Sequence, residues 1–151
     1  MSLIERWLRL QNRALQGIRH RGAFSLTPST TGFDALRGRK HAILTTYRRS
    51  GEAVPTVVWF GLDDAGRMYL RTEADAFKVK RLRRNPEVLV APSDVRGKPK
   101  GPAAAGTARV LDASENDHAE RTIQANYGLG RKVYESGGSR LDLVYVEVVP
   151  A

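Results

Sequence analysis

The stretch Leu70-Arg71-Thr72-Glu73-Ala74-Asp75-Ala76-Phe77-Lys78-Val79-Lys80-Arg81-Leu82-Arg83-Arg84-Asn85-Pro86 decides how this chain is read. It joins the end of a strand to a short basic helix. Thr72 and Asp75 are spaced as a capping box, Phe77, Val79 and Leu82 recur at helical spacing, and Asn85-Pro86 stops the helix. A strand end carrying Arg71 and Thr72, followed by the free N–H groups of a first helical turn and by Lys78, can surround one phosphate with donors and positive charge. The plainer alternative is a capped, solvated basic helix, and Glu73 and Asp75 count against an anion there. Between Arg67 and Lys100 stand ten basic and four acidic residues, which accounts for six of the nine net positive charges. Such clustering favours an anionic ligand.

Upstream, Ala42 to Tyr47 and Val54 to Leu62 are rich in strand formers and flank the turn Ser50-Gly51-Glu52. A second turn, Asp63-Asp64-Ala65-Gly66, leads into Met68 to Arg71, so the order predicts a three-stranded antiparallel meander and disfavours an alternating βαβ fold. Downstream, Glu87 to Ala91 and Ala103 to Leu111 read as strands around a Gly, Pro and Lys-rich loop. Asp112 and Glu115 open a helix expected to reach about Asn126 and to end near Gly128 and Gly130. Leu141 to Val149 alternates with period two as a final strand. Six strands and few helices predict a mainly β, small antiparallel barrel.

Before Phe33 the chain is of another kind. Leu3, Ile4, Trp7, Leu8, Leu15 and Ile18 recur at helical spacing among arginines, giving an amphipathic basic helix, and Phe24 to Gly32 reads as a linker or surface loop. The expected organisation is an appended helix and linker over residues 1–32 and one barrel domain over 33–151. With no cysteine in 151 residues there is no disulfide framework, thiolate metal site or Cys nucleophile, and a reducing cytoplasm is the expected location. His20, His41 and His118 lack zinc-site spacing. No apolar run approaches the roughly 20 residues of a membrane-spanning helix, and no secretory signal pattern is present. Weak peripheral membrane contact through the N-terminal helix stays open.

The order from Leu44-Thr45-Thr46 through Thr56-Val57-Val58-Trp59-Phe60 to Lys78–Val88 resembles the pyridoxamine-phosphate-oxidase-like split-barrel family. Within it, the run Ala91–Pro99 and Gly106-Thr107-Ala108-Arg109 resemble the branch of oxidoreductases dependent on the deazaflavin coenzyme F-420. The similarity extends from about Phe33 to Ala151. It implies a six-stranded split β-barrel and a homodimer with a cofactor at each of two interfacial clefts. By matching position, Lys78 takes the place of the phosphate lysine and Arg71 and Thr72 those of the strand-end donors. Thr45, Thr46, Thr56, Val57, Val58 and Trp59 take those that line the ring. On alternating strands, the apolar members of that set are more often core than cofactor wall.

The family also includes FMN-binding and haem-binding members. A cleft bordered by Lys80, Arg81, Arg96, Lys98 and Lys100 suits the long anionic tail of F-420, which places that cofactor first and FMN second. The implied function is an F-420-dependent oxidoreductase that transfers a hydride between the deazaflavin and an unsaturated small organic substrate, with Tyr47, Tyr69 or solvent as proton source. The alternatives are an FMN-dependent oxidoreductase, a cofactor carrier without turnover, and a non-specific nucleic-acid binder. No sequence-specific nucleic-acid motif is present, so the last would bind phosphates alone.

Overall fold

The computed structural model describes residues 20–137 and 142–151, with side chains for all of these except 128–137. In chain order the regular elements are β1 (Pro28–Thr30), β2 (His41–Tyr47), β3 (Ala53–Val58), β4 (Gly61–Leu62), β5 (Met68–Glu73), α1 (Phe77–Arg84), β6 (Glu87–Ser93), β7 (Ala103–Val110), α2 (Asn116–Gly137) and β8 (Leu143–Pro150). The strands form one sheet in the order β3-β2-β6-β7-β8-β5-β4. These neighbours are antiparallel, and β1 adds in parallel to the start of β7. The helix expected before Gly17 lies outside the described residues.

Alternation along the strands builds the interior. Ala42, Leu44, Val58, Met68, Leu70, Val88, Val90, Val146 and Val148 meet in one buried cluster, closed by Phe33, Phe60 and Leu82. The opposite face of β5 and β8 carries Tyr69 and Tyr145, which pack with Ala119 and Ile123 of α2.

The structure corrects the sequence reading at four places. Eight strands are present, not six, because Val54 to Leu62 breaks at Trp59-Phe60 and a short β1 lies inside the stretch expected to be a linker. The three-stranded meander does not form: β3 pairs with β2, whereas β5 pairs with β4 and β8 at the far end of the sheet. The chain therefore leaves one edge of the sheet at Val58 and rejoins it at the other edge, curling the sheet into a barrel that stays open along one seam. Finally, α2 continues past Gly128 and Gly130 to Gly137, since packing on β4, β5 and β8 outweighs the roughly 1 kcal/mol that a helical glycine costs.

At the crossing, the backbone of Phe60 has no ladder partner, and α2 supplies one. The Phe60 N–H donates to the Tyr127 hydroxyl at 2.8 Å, and Asn126 Nδ2 donates to the carbonyls of Phe60 at 2.9 Å and Arg39 at 3.0 Å. The Tyr127 hydroxyl in turn donates to the Lys40 carbonyl at 2.6 Å, and its ring stacks on Trp59 with centroids 5.2 Å apart. Gly61, the next residue, lies so close to α2 that a Cβ there would collide with the Thr122 carbonyl. A Gly61→Ala substitution is expected to destabilise the fold by roughly 1–3 kcal/mol through backbone displacement, read as a lower urea midpoint with an unchanged slope.

Candidate cofactor site

The inward positions of β5 change character along the strand: Met68 and Leu70 lie in the apolar core, and the next, Thr72, is a buried hydroxyl. Three residues of turn then lead into α1. Thr72 does not cap this helix, contrary to the capping-box expectation. It lies within β5, and the N-cap is Ala76, in extended conformation with no side-chain hydrogen bond. The N–H groups of Val79 and Lys80 reach the Ala76 carbonyl at 3.1 and 3.3 Å, whereas those of Phe77 and Lys78 have no acceptor among the described residues. An uncapped first turn retains its partial positive charge and its free donors.

Beside it lies the most unusual side chain of the molecule. Lys78 is only 6% exposed, on the side of α1 that also buries Val79 and Leu82, and it has no hydrogen bond or ion pair among the described residues. Burial, and then the charge of Arg81, push its pKa down to about 8, against an opposing pull from Glu73. Lysine at this burial is normally paired. Uncapped N–H groups, the amine of a largely buried lysine and the Thr72 hydroxyl form a donor set that an anion would satisfy.

Two arginines seat α1 on the end of β2. Arg81 Nε donates to Thr46 Oγ1 at 2.6 Å, and Arg84 Nη2 donates to the Tyr47 carbonyl at 2.8 Å. The sequence reading set Arg81 at the border of the cleft, as one of the cations for an acidic tail, and not as a strut for α1; its spacing of three from Lys78, which places both on one side of the helix, was the available signal.

The expected ring-lining residues divide between the two faces of the sheet. Thr46, Thr56 and Val58 share the face of Leu44, where Thr56 Oγ1 donates to the Leu44 carbonyl at 3.3 Å, while Thr45 and Val57 occupy the opposite face. The Thr45 hydroxyl is buried without a hydrogen-bond partner among the described residues, a deficit that a polar ligand would relieve. Trp59, just beyond β3, stacks on Tyr127.

The remaining expected residues are more dispersed. Arg71 lies on the α2 side of β5, 3.3 Å from a Glu120 carboxylate that also accepts from the Tyr145 hydroxyl at 2.6 Å. Lys80 is exposed, its amine 5.4 Å from the centroid of the Phe77 ring. Arg96 is exposed in the loop after β6, whose turn is held by Asp94. The seven residues of β6, about 20 Å of strand, separate that loop from α1, so one chain does not bring Arg96 beside Lys78. Of the two tyrosines considered as proton sources, Tyr69 donates to Glu147 at 2.8 Å and is pushed up by burial and by that carboxylate, and Tyr47 is pushed up by burial and Glu87. No helix among the described residues is long and apolar enough to cross a membrane.

No protein-family model matches the chain, and no curated protein matches it. Solved structures do. A putative pyridoxamine 5'-phosphate oxidase from Listeria innocua is 20% identical over 77% of this chain and 87% of its own, with a TM-score of 0.53. The haem storage protein HutZ from Vibrio cholerae is 16% identical over 75% and 82%, with a TM-score of 0.58. A FAD-binding protein from Mesorhizobium loti is 16% identical over 77% and 82%, with a TM-score of 0.54. The fold is the pyridoxamine 5'-phosphate oxidase-like split barrel. At these identities the likeness establishes the architecture alone. The structures that share this fold include a haem storage protein and a FAD-binding protein, so the barrel by itself does not choose a ligand.

Lys78 also makes a prediction for the free protein. Because its amine is held near pKa 8 when folded and returns to about 10.5 when unfolded, the unfolded chain binds the extra proton between those values. The site thus opposes folding below about pH 8, and the penalty fades as pH rises towards 10.5. Lys78→Met should be more stable than the parent at pH 7, with the gap closing by pH 10, as measured by urea unfolding at both pH values.

Proposed function

We propose that the N-terminus of α1, with Lys78 and Thr72, holds the phosphate of a flavin or deazaflavin, and that the protein is an oxidoreductase acting on a small organic substrate. The observation that carries this reading is the largely buried side chain of Lys78, whose amine has no partner among the described residues, next to a helix start with unsatisfied N–H groups. Bound there, such a cofactor supplies hydride transfer. The chain supplies position: Lys78 and the first-turn N–H groups fix the phosphate, Thr72 adds a hydroxyl, and Arg81 holds α1 against Thr46. Among the described residues β3 pairs with β2 alone, so its other edge offers backbone donors and acceptors along which a planar ring can lie. The unpartnered Thr45 hydroxyl marks the same pair of strands.

Coenzyme F-420 is placed ahead of FMN, because Lys80, Arg83 and Arg84 are exposed on the same helix and suit an acidic tail extending from the phosphate. In this reading the working form is a homodimer, since a second copy is required to bring Arg96, Lys98 and Lys100 near Lys78.

Titration of the purified protein with F-420, FMN and haem, followed by fluorescence and absorbance, tests the proposal. Saturable binding of F-420 or FMN is expected, with Lys78→Ala weakening it by roughly 1–3 kcal/mol through loss of a charge-assisted contact. Binding of haem alone, or unchanged affinity in the variant, overturns the assignment.

A further inference from the structure

At the other end of β5, one carboxylate organises a second set of polar groups. Asp63, with its side chain 8% exposed, accepts the N–H groups of Ala65 at 3.0 Å and Arg67 at 2.9 Å through Oδ1. Its Oδ2 accepts Arg67 Nε at 3.0 Å and lies 3.1 Å from His118 Nε2. Four partners occupy the bonding capacity of this carboxylate, and their effect is to fix an arginine and a histidine, each about half exposed, at the wall of one cavity. The cavity has a volume of about 470 Å³, within the range of small-ligand sites, and lies between the β4–β5 turn and α2. Arg121, three residues after His118 on α2, lines it as well and has no partner among the described residues. The floor of Leu62, Thr122 and Ala125 continues into an adjoining cavity of about 190 Å³ that reaches Leu36 and Phe60.

Charge limits what such a groove can take. Arg67 is balanced by Asp63, so the groove wall offers one guanidinium, that of Arg121, without an acceptor among the described residues, on a lining that also carries Asp64. That suits a single negative charge and not a phosphate dianion. We propose that this groove is a second ligand site, separate from Lys78, which binds a small monocarboxylate with an apolar body. The carboxylate lies at Arg121 and His118, and the apolar part on Leu62 and Ala125. Asp63 acts as the positioning residue that holds the wall in place before the ligand arrives.

The test is a titration of the full chain with benzoate, followed by two-dimensional amide NMR. Saturable shifts are expected in residues 63–67 and 118–125. Arg121→Gln, at an exposed position without a partner among the described residues, should weaken binding about tenfold, the size of one charge-assisted hydrogen bond, while leaving the rest of the spectrum unchanged. Absence of saturable shifts in the groove, or equal affinity in the variant, overturns the site. Groove shifts produced by inorganic phosphate as readily as by benzoate overturn the monocarboxylate assignment.

Discussion

Two residues, Trp59 and Phe60, carry the chain from one edge of the sheet to the other, and the barrel exists because that crossing is held. A backbone that leaves a ladder loses its hydrogen-bond partners, and in a buried place each loss costs about 1–3 kcal/mol. Here Tyr127 and Asn126 of α2 replace them, while Phe60 fills the interior with its ring. The same crossing leaves β3, among the described residues, paired on one side only and sets β5 apart from it. The seam, the open edge of β3 and the exit of β5 into α1 all follow from it.

The proposed phosphate site runs against the general rule that buried charge is paired. Lys78 shares its side of the helix with Val79 and Leu82, which belong to the core, so α1 cannot rotate to free the Lys78 side chain without exposing them. The energy of this arrangement is unfavourable in the free protein, a pattern common where structure serves binding at the expense of stability, and in the proposed function a bound anion would offset it.

Much of this was legible in the sequence. The runs around Ile43, Val57, Val88 and Val146 have the alternation or strand propensity that puts them in a sheet, and the position of Lys78 after a strand end marked the polar site. What was not legible depends on distant contacts. Nothing local distinguishes Trp59-Phe60 as a break within nine strand-forming residues; the break follows from where α2 lies. The three residues of β1 are too few to carry a periodic signal, and their pairing is with Ala103 and Ala104, far along the chain. Thr72 and Asp75 had the spacing of a cap, yet the ladder with β8 extends through Glu73 and takes Thr72 for itself. Arg71 was placed among the strand-end donors by resemblance, and its contact with Glu120, 49 residues away in the chain, had no local signal.

The small strand β1 has a wider effect than its length suggests. β8 covers β7 only from Gly106 onward, and β1 lies along the remaining positions at Ala103 and Ala104. Residues that precede the barrel thus complete one of its central strands. Without them, β7 would present a short bare margin in the middle of the sheet, wide enough for a foreign strand to add there, and a molecule built to close on itself would become capable of joining to others.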